Sequence, residues 1–425
     1  MSNILALNAG SSSLKYKIYI YQNAHENNNN KLILLSKGQV TEIGCRNSEF
    51  SAKLYSSSTL EQIDRFSQNI EAPTHEIAFT HVLSYLLDKI NHLNECKNIS
   101  IAHRVVHGAT EEKPMIISSS DDHSSLEHAL KKLDSLSELA PLHNHTSVLI
   151  IRKCLDSLPT AKNYIFFDTI FHRTLPKEVY TYALPYEKCQ LRRIRKYGFH
   201  GLSHSYVTQC ASAYLGVDWK SEEVRFISLH LGSGASVCAV RGGKSIDTSM
   251  GLTPLEGLPG ITRAGTVDPC AIFHLSDLAK SGVESRHPTD RKFHLTEAES
   301  ILNHDSGIKG ICGISNFAEI TKIINDKERN NEKFERAKLA FDLFVDRILH
   351  FIGAYYVTLE GKVTGLLFTG GIGEHCWEIR ETVCERLKCL GVGELDKEKN
   401  QNADKEFAGG KKEMARQLIS MQKEK

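Results

Sequence analysis

Residues 226–268 read FISLHLGSGASVCAVRGGKSIDTSMGLTPLEGLPGITRAGTVD, and this stretch decides the fold. Phe226 to Leu231 is a short apolar and β-branched run broken by Gly232-Ser233-Gly234. Ala235 to Val240 runs extended again, and Arg241-Gly242-Gly243-Lys244 is a second turn signal. The pattern predicts a tight hairpin with a Gly-Ser-Gly tip. Such a tip suits an ordinary hairpin, and it also lets backbone N–H groups approach an anion with no Cβ in the way. The chain opens with the same design: Ile4 to Leu7, then Asn8-Ala9-Gly10-Ser11-Ser12-Ser13, then Leu14 to Tyr19. Two such hairpins about 220 residues apart predict two similar domains, each pointing a phosphate-holding turn at a shared cleft. A third glycine turn, Gly370-Gly371-Ile372-Gly373-Glu374, follows the apolar run Val363 to Leu367 and precedes the helical Trp377 to Leu387. Three such turns favour a nucleotide or phosphate site in an α/β protein.

The 425 residues exceed one compact core and predict two domains. A net charge of +1 with no long basic run argues against a nucleic-acid surface. The N-terminus lacks the basic and apolar regions of a secretory signal, and no window reaches the roughly 18 apolar residues of a membrane span. The nearest, Leu339 to Leu359, is interrupted by Asp342, Asp346, Arg347 and His350. The 11 cysteines are scattered without a Cys-x-x-Cys pair, which predicts reduced thiols in a cytoplasmic protein.

Along the chain, residues 25–30 read as a surface turn before a strand at Leu32 to Leu35, residues 44–72 are polar and weakly patterned, and Ile77 to Ile90 has helical spacing. Ile99 to Gly108 is an apolar strand ending in Arg104, Val105, Val106 and His107. Arg104 either pairs with a carboxylate or grips an anion with its planar fork. Leu139 to Asn144 opens a helix continuing from Thr146 to Leu155. Tyr164 to Phe167 is a buried strand ending at Asp168, which either caps a helix or serves a ligand at the strand's carboxyl end. Residues 197–204, YGFHGLSH, form either a shaped wall or a tight loop. The Gly- and Pro-rich stretch 251–268 carries one conspicuous charge, Arg263, and long loops of this kind are usually functional. Phe334, Ala337, Phe341, Phe344, Ile348 and Ile352 fall on one helical face and predict a core helix.

LNAGSSSLKY, HRVVHG, APLHN, FDTIFH, YGFHGLSH, HLGSG, DTSMGLTPLEGLPGITRAGTVDP and FTGGIGE, in this order, resemble the acetate kinases over Leu7 to Glu374. The resemblance implies a duplicated two-domain actin-like ATPase fold of the acetate/sugar kinase, ribonuclease H-like type. It puts an N-terminal domain at 1–172, joined by a C-terminal helix at about 409–425, and a C-terminal domain with the nucleotide site and a dimer surface at 173–408. The implied reaction is phosphoryl transfer between ATP and acetate, giving acetyl phosphate and ADP, with Mg²⁺ or Mn²⁺, in a cytoplasmic homodimer. Position by position it implies Asp168, His200 and Arg263 as catalytic groups. Arg104, Val106, Leu142, Phe199 and Pro254 would bind the acetate. Lys15, His230, Leu231, Gly232, Ser233, Gly234, Asn316, Phe317, Ala318, Gly371, Ile372, Gly373, Glu374 and His375 would bind the nucleotide, and Asn8 and Glu413 the metal. Acetate is already ionised at neutral pH and needs no base, so Asp168 is expected to orient a group or hold a metal-bound water.

The chain departs from the family at Ser233 and His375, where Asn is usual, and at Asn316 and Ala318, which replace an acidic and a basic residue near the adenosine. After Gln401 the usual apolar strand and Pro-Thr-x-Glu-Glu segment give way to a charged tail read as a helix. Propionate kinase, a pyrophosphate-dependent relative and a catalytically impaired nucleotide-binding protein are the alternatives that these departures leave.

Overall fold

The computed structural model describes residues 2–22, 31–90, 99–136, 141–275, 282–285, 293–326, 331–393, 395–403 and 418–420, with backbone alone for 141–143, 273–274, 282–285, 293–295 and 418–420. The described residues up to Ile170, with Phe293, make one compact unit, and the others from Phe171 onward make a second.

The first unit is built on an eight-stranded sheet. Its strands are β1 (Ser2–Ala9), β2 (Leu14–Gln22), β3 (Lys31–Thr41), β4 (Ser48–Tyr55), β5 (Gln62–Ile70), β6 (Ile99–Val105), β7 (Met115–Ser118) and β8 (Lys162–Phe167), in the order β5-β4-β3-β2-β1-β6-β8-β7. From β5 to β1 the neighbours are antiparallel, whereas β1, β6 and β8 are parallel. β1 alternates buried and half-exposed residues, so Leu5, Leu7 and Ala9 enter the core with Leu14, Tyr16 and Ile18 of β2. The helix His75–Lys89 covers that face with Phe79, Val82 and Leu86, and Thr74 caps its start by accepting from the Ile77 amide.

The second sheet holds β9 (Arg225–Leu231), β10 (Ala235–Arg241), β11 (Lys244–Thr248), β14 (Gly365–Thr369) and β15 (Leu418–Ser420), in the order β11-β10-β9-β14-β15. A separate ribbon pairs β12 (Gly282–Ser285) with β13 (Phe293–Thr296). Both faces of the large sheet are covered. Ile227, Leu229, Val237, Ala239, Leu366 and Phe368 meet the helix Glu332–Thr358, whose Phe341, Phe344, Ile348 and Ile352 are buried against them. Each such side chain contributes about 1.5–3 kcal/mol of burial. On the other face Phe226, Cys238, Val240 and Leu367 meet Val207 and Ala211 of the helix Gly201–Leu215. Apolar residues on both faces give the near-continuous hydrophobic runs of a covered sheet.

The structure fills in one stretch and corrects two expectations. Residues 44–72, polar and weakly patterned as sequence, hold β4 and β5. In β4, Phe50 and Ala52 alternate with Glu49, Ser51 and Lys53, a period-2 signal the surrounding polarity obscures. β5 is an edge strand exposed along most of its length, with only Phe66 and Ile70 half-buried against the core, too few to stand out as a pattern. The expected helix at 409–425, rejoining the first domain, lies mostly outside the described residues. Its described part, Leu418–Ser420, is instead a strand, paired antiparallel with β14 in the second unit. β14 is parallel to β9 on one side and otherwise presents an open edge, and an extended Leu-Ile-Ser segment satisfies its unpaired N–H and C=O groups. The third glycine turn is itself helical, Gly370–His375, directly continuing β14. The Asn-rich tip at 25–30 and Glu413 lie outside the described residues.

Candidate active site

Asn8, Arg104 and Asp168 sit at the carboxyl ends of the three adjacent parallel strands of the first unit. Asn8 of β1 stands in register with Arg104 of β6, Phe166 of β8 is the next neighbour of Arg104, and Asp168 follows two residues on. Arg104 Nη2 donates to Asp168 Oδ2 at 2.5 Å, and Nε lies 3.2 Å from both carboxylate oxygens. Its Nη1 donates to Asn8 Oδ1 at 3.1 Å. Asp168 is 1% exposed and the Arg104 side chain 29%. Burial works against the charge on Arg104, but the Asp168 carboxylate outweighs it and holds the guanidinium above its ordinary value. Asp168 is therefore no helix cap. A guanidinium has five N–H donors, and these bonds engage three, which leaves two, on Nη1 and Nη2, for an outside carboxylate.

Three further residues hold the chain around this arginine. Gly108 has no room for a side chain, since a Cβ there would lie 2.4 Å from Phe167 Cγ. Asn144, wholly buried in the helix Pro141–Ser157, accepts from the His107 amide at 2.9 Å and donates to the His107 carbonyl at 2.7 Å. Ser147 Oγ donates to the Arg104 carbonyl at 3.3 Å.

In the second unit the Gly-Ser-Gly tip joins β9 to β10 as expected, and Gly232 N bonds Gly234 O at 3.1 Å. A Cβ on Gly232 would stand 4.0 Å from the Gly371 amide nitrogen, so two glycine turns lie side by side at the ends of adjacent parallel strands. Gly370 needs its left-handed φ of 80° and a bare Cα, because a Cβ would meet Leu231 O at 2.5 Å. Arg380, buried beneath this turn, donates through Nη1 to the carbonyls of Gly373 and Glu374 at 2.8 and 2.7 Å and through Nε and Nη2 to Asn400.

Arg263 sits on a loop ordered by backbone bonds. Ile261 N donates to Ser233 O at 2.9 Å, Gly260 N to Arg263 O at 3.0 Å, and Ser306 N to Thr262 O at 3.1 Å. The loop thus ties Arg263 to the Gly-Ser-Gly tip. A Cβ on Gly234 would be 3.0 Å from Arg263 Nη1 and 3.7 Å from His200 Nε2, so this glycine lets an arginine and a histidine converge on one turn. His200 starts the helix Gly201–Leu215 with a left-handed φ of 58°, a strained conformation found at functional sites.

Behind it lies a histidine–serine network on the face of β9 and β10 that meets this helix. His200 stacks on His230 with ring centres 4.1 Å apart, and its Nδ1 is 2.9 Å from Ser236 Oγ. His204 bridges Ser228 through Nδ1 at 2.9 Å and Ser236 through Nε2 at 2.8 Å. Burial, together with His172 and His230, keeps the His204 pKa well below the usual range and its ring neutral. His172 Nε2–H donates to the Phe199 carbonyl at 2.9 Å, so its Nδ1 accepts from Ser245 Oγ at 2.8 Å.

The other expected residues fall as follows. Val106 is buried after β6 in the first unit, and Phe199 and Pro254 are buried in the second. Leu142 opens the helix Pro141–Ser157, and its side chain is outside the described atoms. Lys15 is exposed and stands in register with Asn8. Asn316 caps the helix Phe317–Asn325 through its Oδ1, accepting from Ala318 N at 3.0 Å, and Phe317 is buried. Glu374 accepts from Thr369 Oγ1 and Gly370 N at 2.9 and 3.1 Å, which closes the third turn on itself.

A sequence model of the acetokinase family matches residues 3–418. The chain belongs to the acetokinase family. A probable acetate kinase of Neurospora crassa is 38% identical over 416 residues, covering 95% of this chain and 84% of that one. A propionate kinase from Francisella tularensis superposes with a TM-score of 0.77 at 33% identity, over 95% of this chain and 92% of that structure. The acetate kinase of Porphyromonas gingivalis gives 0.73 at 32% identity, over 94% and 90%. The acetokinase chain is thus a phosphotransferase with a carboxyl acceptor on a two-domain actin-like fold.

Several residues of this acetokinase escape sequence reasoning. Ser228 and Ser236 share the strand parity of Phe226, Cys238 and Val240, as does the expected His230, so a switch from apolar to polar toward the turn is the signal that could find them. Asn144 and Arg380 gave no local signal, because the His107 and Asn400 partners that hold them lie 37 and 20 residues away.

Proposed function

We propose that this acetokinase transfers the terminal phosphoryl group of ATP to acetate, forming acetyl phosphate and ADP, and runs in reverse. The observation that carries this reading is Arg104, held rigid by Asp168 and Asn8 with two N–H groups to offer a carboxylate. In the second unit Arg263 and His200 converge on Gly234 beside the paired glycine turns, a donor set suited to phosphoryl oxygens. Val106, Leu142, Phe199 and Pro254 are assigned to the acetate methyl, and residues 230–234, 316–318 and 371–375, with Lys15, to the nucleotide. Asp168 is committed to Arg104 and orients it, so no base is assigned.

Asn8 Oδ1 and the Asp168 carboxylate are hard oxygens, but both already accept from the Arg104 cation, and among the described residues no group of three or more His, Cys, Asp and Glu side chains is placed to hold an ion, so Mg²⁺ or Mn²⁺ would arrive on the nucleotide phosphates and reach these oxygens mainly through water. A bound Mg²⁺ would neutralise charge on the phosphates. The cysteines among the described residues are free thiols, which supports a reducing cytoplasmic setting. No helix of the described residues is long and apolar enough to cross a membrane. Exposed Leu202, Tyr206 and Tyr214 on the helix Gly201–Leu215 support a homodimer, checked by the solution mass.

The test supplies acetyl phosphate, Mg²⁺ and either ADP or inorganic phosphate to the purified protein. ATP formation, reduced about 10³-fold by Arg263→Ala, is expected. Pyrophosphate as the product would mean that the acceptor has changed, and no product despite ADP binding would leave a nucleotide-binding protein. Propionyl phosphate should give a kcat/KM lower than acetyl phosphate, by about tenfold for one methylene.

A further inference from the structure

We propose that Ser236 is a positioning residue whose hydroxyl donates to His200 Nδ1 and so fixes the His200 proton on Nε2, the nitrogen on the Gly234 and Arg263 side. This rests on the reading of His200 as a hydrogen-bond donor to the transferred phosphoryl group. A serine hydroxyl has one proton and two lone pairs. Ser236 is 0% exposed, and its Oγ lies between His200 Nδ1 at 2.9 Å and His204 Nε2 at 2.8 Å. His204 and Ser228, the next members, are also 0% exposed.

A neutral His204 has one N–H, so the chain of bonds runs in one of two directions. In the first, Ser228 donates to His204 Nδ1, His204 Nε2–H to Ser236, and Ser236 to His200 Nδ1. His200 is then neutral with Nε2–H facing outward. In the second every bond reverses, and a neutral His200 presents a bare lone pair at Nε2, useless to an anionic phosphoryl oxygen. Only a second positive charge on His200 would restore a donor there. Of the groups facing His200, the Arg263 guanidinium across Gly234 repels that charge, while His230, stacked at 4.1 Å, and the neutral His204 behind Ser236 bring no negative charge to offset it. The first direction is therefore the one that gives a neutral donor, and Ser236 carries it to His200, because a hydroxyl that accepts from His204 Nε2–H has its one proton left for His200 Nδ1.

Long-range proton–nitrogen NMR of the ligand-free, ¹⁵N-histidine-labelled protein at about pH 7.5 reads the tautomer directly, with His200→Gln assigning the signals. The expected result is a protonated Nε2 and a bare Nδ1. Ser236→Ala should mix the two tautomers and lower kcat by about 10- to 100-fold, as for other imidazole partners, with little change in the KM for ATP. Ser236→Thr, which keeps the hydroxyl, should restore the wild-type tautomer. A wild-type His200 with its proton on Nδ1, or doubly protonated, overturns the proposal even if Ser236→Ala does not fold. Because the spectrum needs no turnover, that result is distinct from a failure of ATP formation, which would overturn the function instead.

Discussion

The two sheets begin alike and end differently. In each, an antiparallel meander of three strands, β3-β2-β1 or β11-β10-β9, is followed by a parallel neighbour, β6 or β14. The fifth position separates them. In the first unit it is β8, parallel to β6, and its end delivers Asp168 to Arg104 and Asn8. In the second it is the three-residue antiparallel β15, and no acid arrives there among the described residues. The first unit therefore carries its charge on strand ends and balances it with a buried counter-charge. The second carries Arg263 on a loop and His200 at a helix start, positioned by bare glycines, backbone bonds and neutral serine–histidine contacts. Charge on strands needs a partner to be stable, whereas charge on loops needs close backbone packing to be precise.

The sharpest way to break this contrast is to remove the counter-charge. Asp168→Ala should cost about 10³-fold in kcat/KM and also destabilise the first unit, because it leaves Arg104 without its buried partner. Arg263→Ala should lose a similar factor in rate while its melting curve stays unchanged. Equal stability losses in the two variants would erase the distinction. Next, Arg380→Met should cost about 3–5 kcal/mol in denaturant unfolding and raise the KM for ATP, since four acceptors of the third turn and Asn400 lose their donor.

A pH titration sharpens the contrast within the first unit. Burial lowers the pKa of His103 to about 4, against the opposing pull of its hydrogen bond with Asn163. Folded His103 stays neutral while the unfolded chain binds a proton below the ordinary value of about 6.5. The stability it carries is thus present above that value and lost as pH falls toward 4. Between about pH 8 and pH 5 the loss should reach about 2 kcal/mol, and His103→Gln should flatten that part of the curve. The smallest effect belongs to Gly234→Ala. A Cβ 3.0 Å from Arg263 Nη1 forces that side chain to shift, so kcat should fall about tenfold or more with stability changed by under about 1 kcal/mol.

Much of this was legible in the chain itself. The hairpins at Leu7 and Leu229 were visible because a glycine-rich break between two apolar extended runs has few other uses, and the helix Glu332–Thr358 because Phe341, Phe344, Ile348 and Ile352 keep a helical period. The carboxyl-end position of Arg104 followed from an apolar strand ending in charge. What stayed hidden depended on distant pairing. β5 half-buries only Phe66 and Ile70, and the strand at Leu418 forms because β14 leaves an edge. That Asp168 is the carboxylate paired with Arg104 depends on an arginine 64 residues earlier, which no local pattern encodes.

The most direct test of the account compares ATP formation from acetyl phosphate and ADP in the wild type, Asp168→Asn and Arg263→Ala, alongside calorimetric ADP binding. Both variants should bind ADP within a few-fold of wild type while losing about 10³-fold in turnover, one through a loosened Arg104 and the other through a missing guanidinium. Wild-type turnover in either variant would contradict the assignment of the carboxylate and phosphoryl groups to these two arginines.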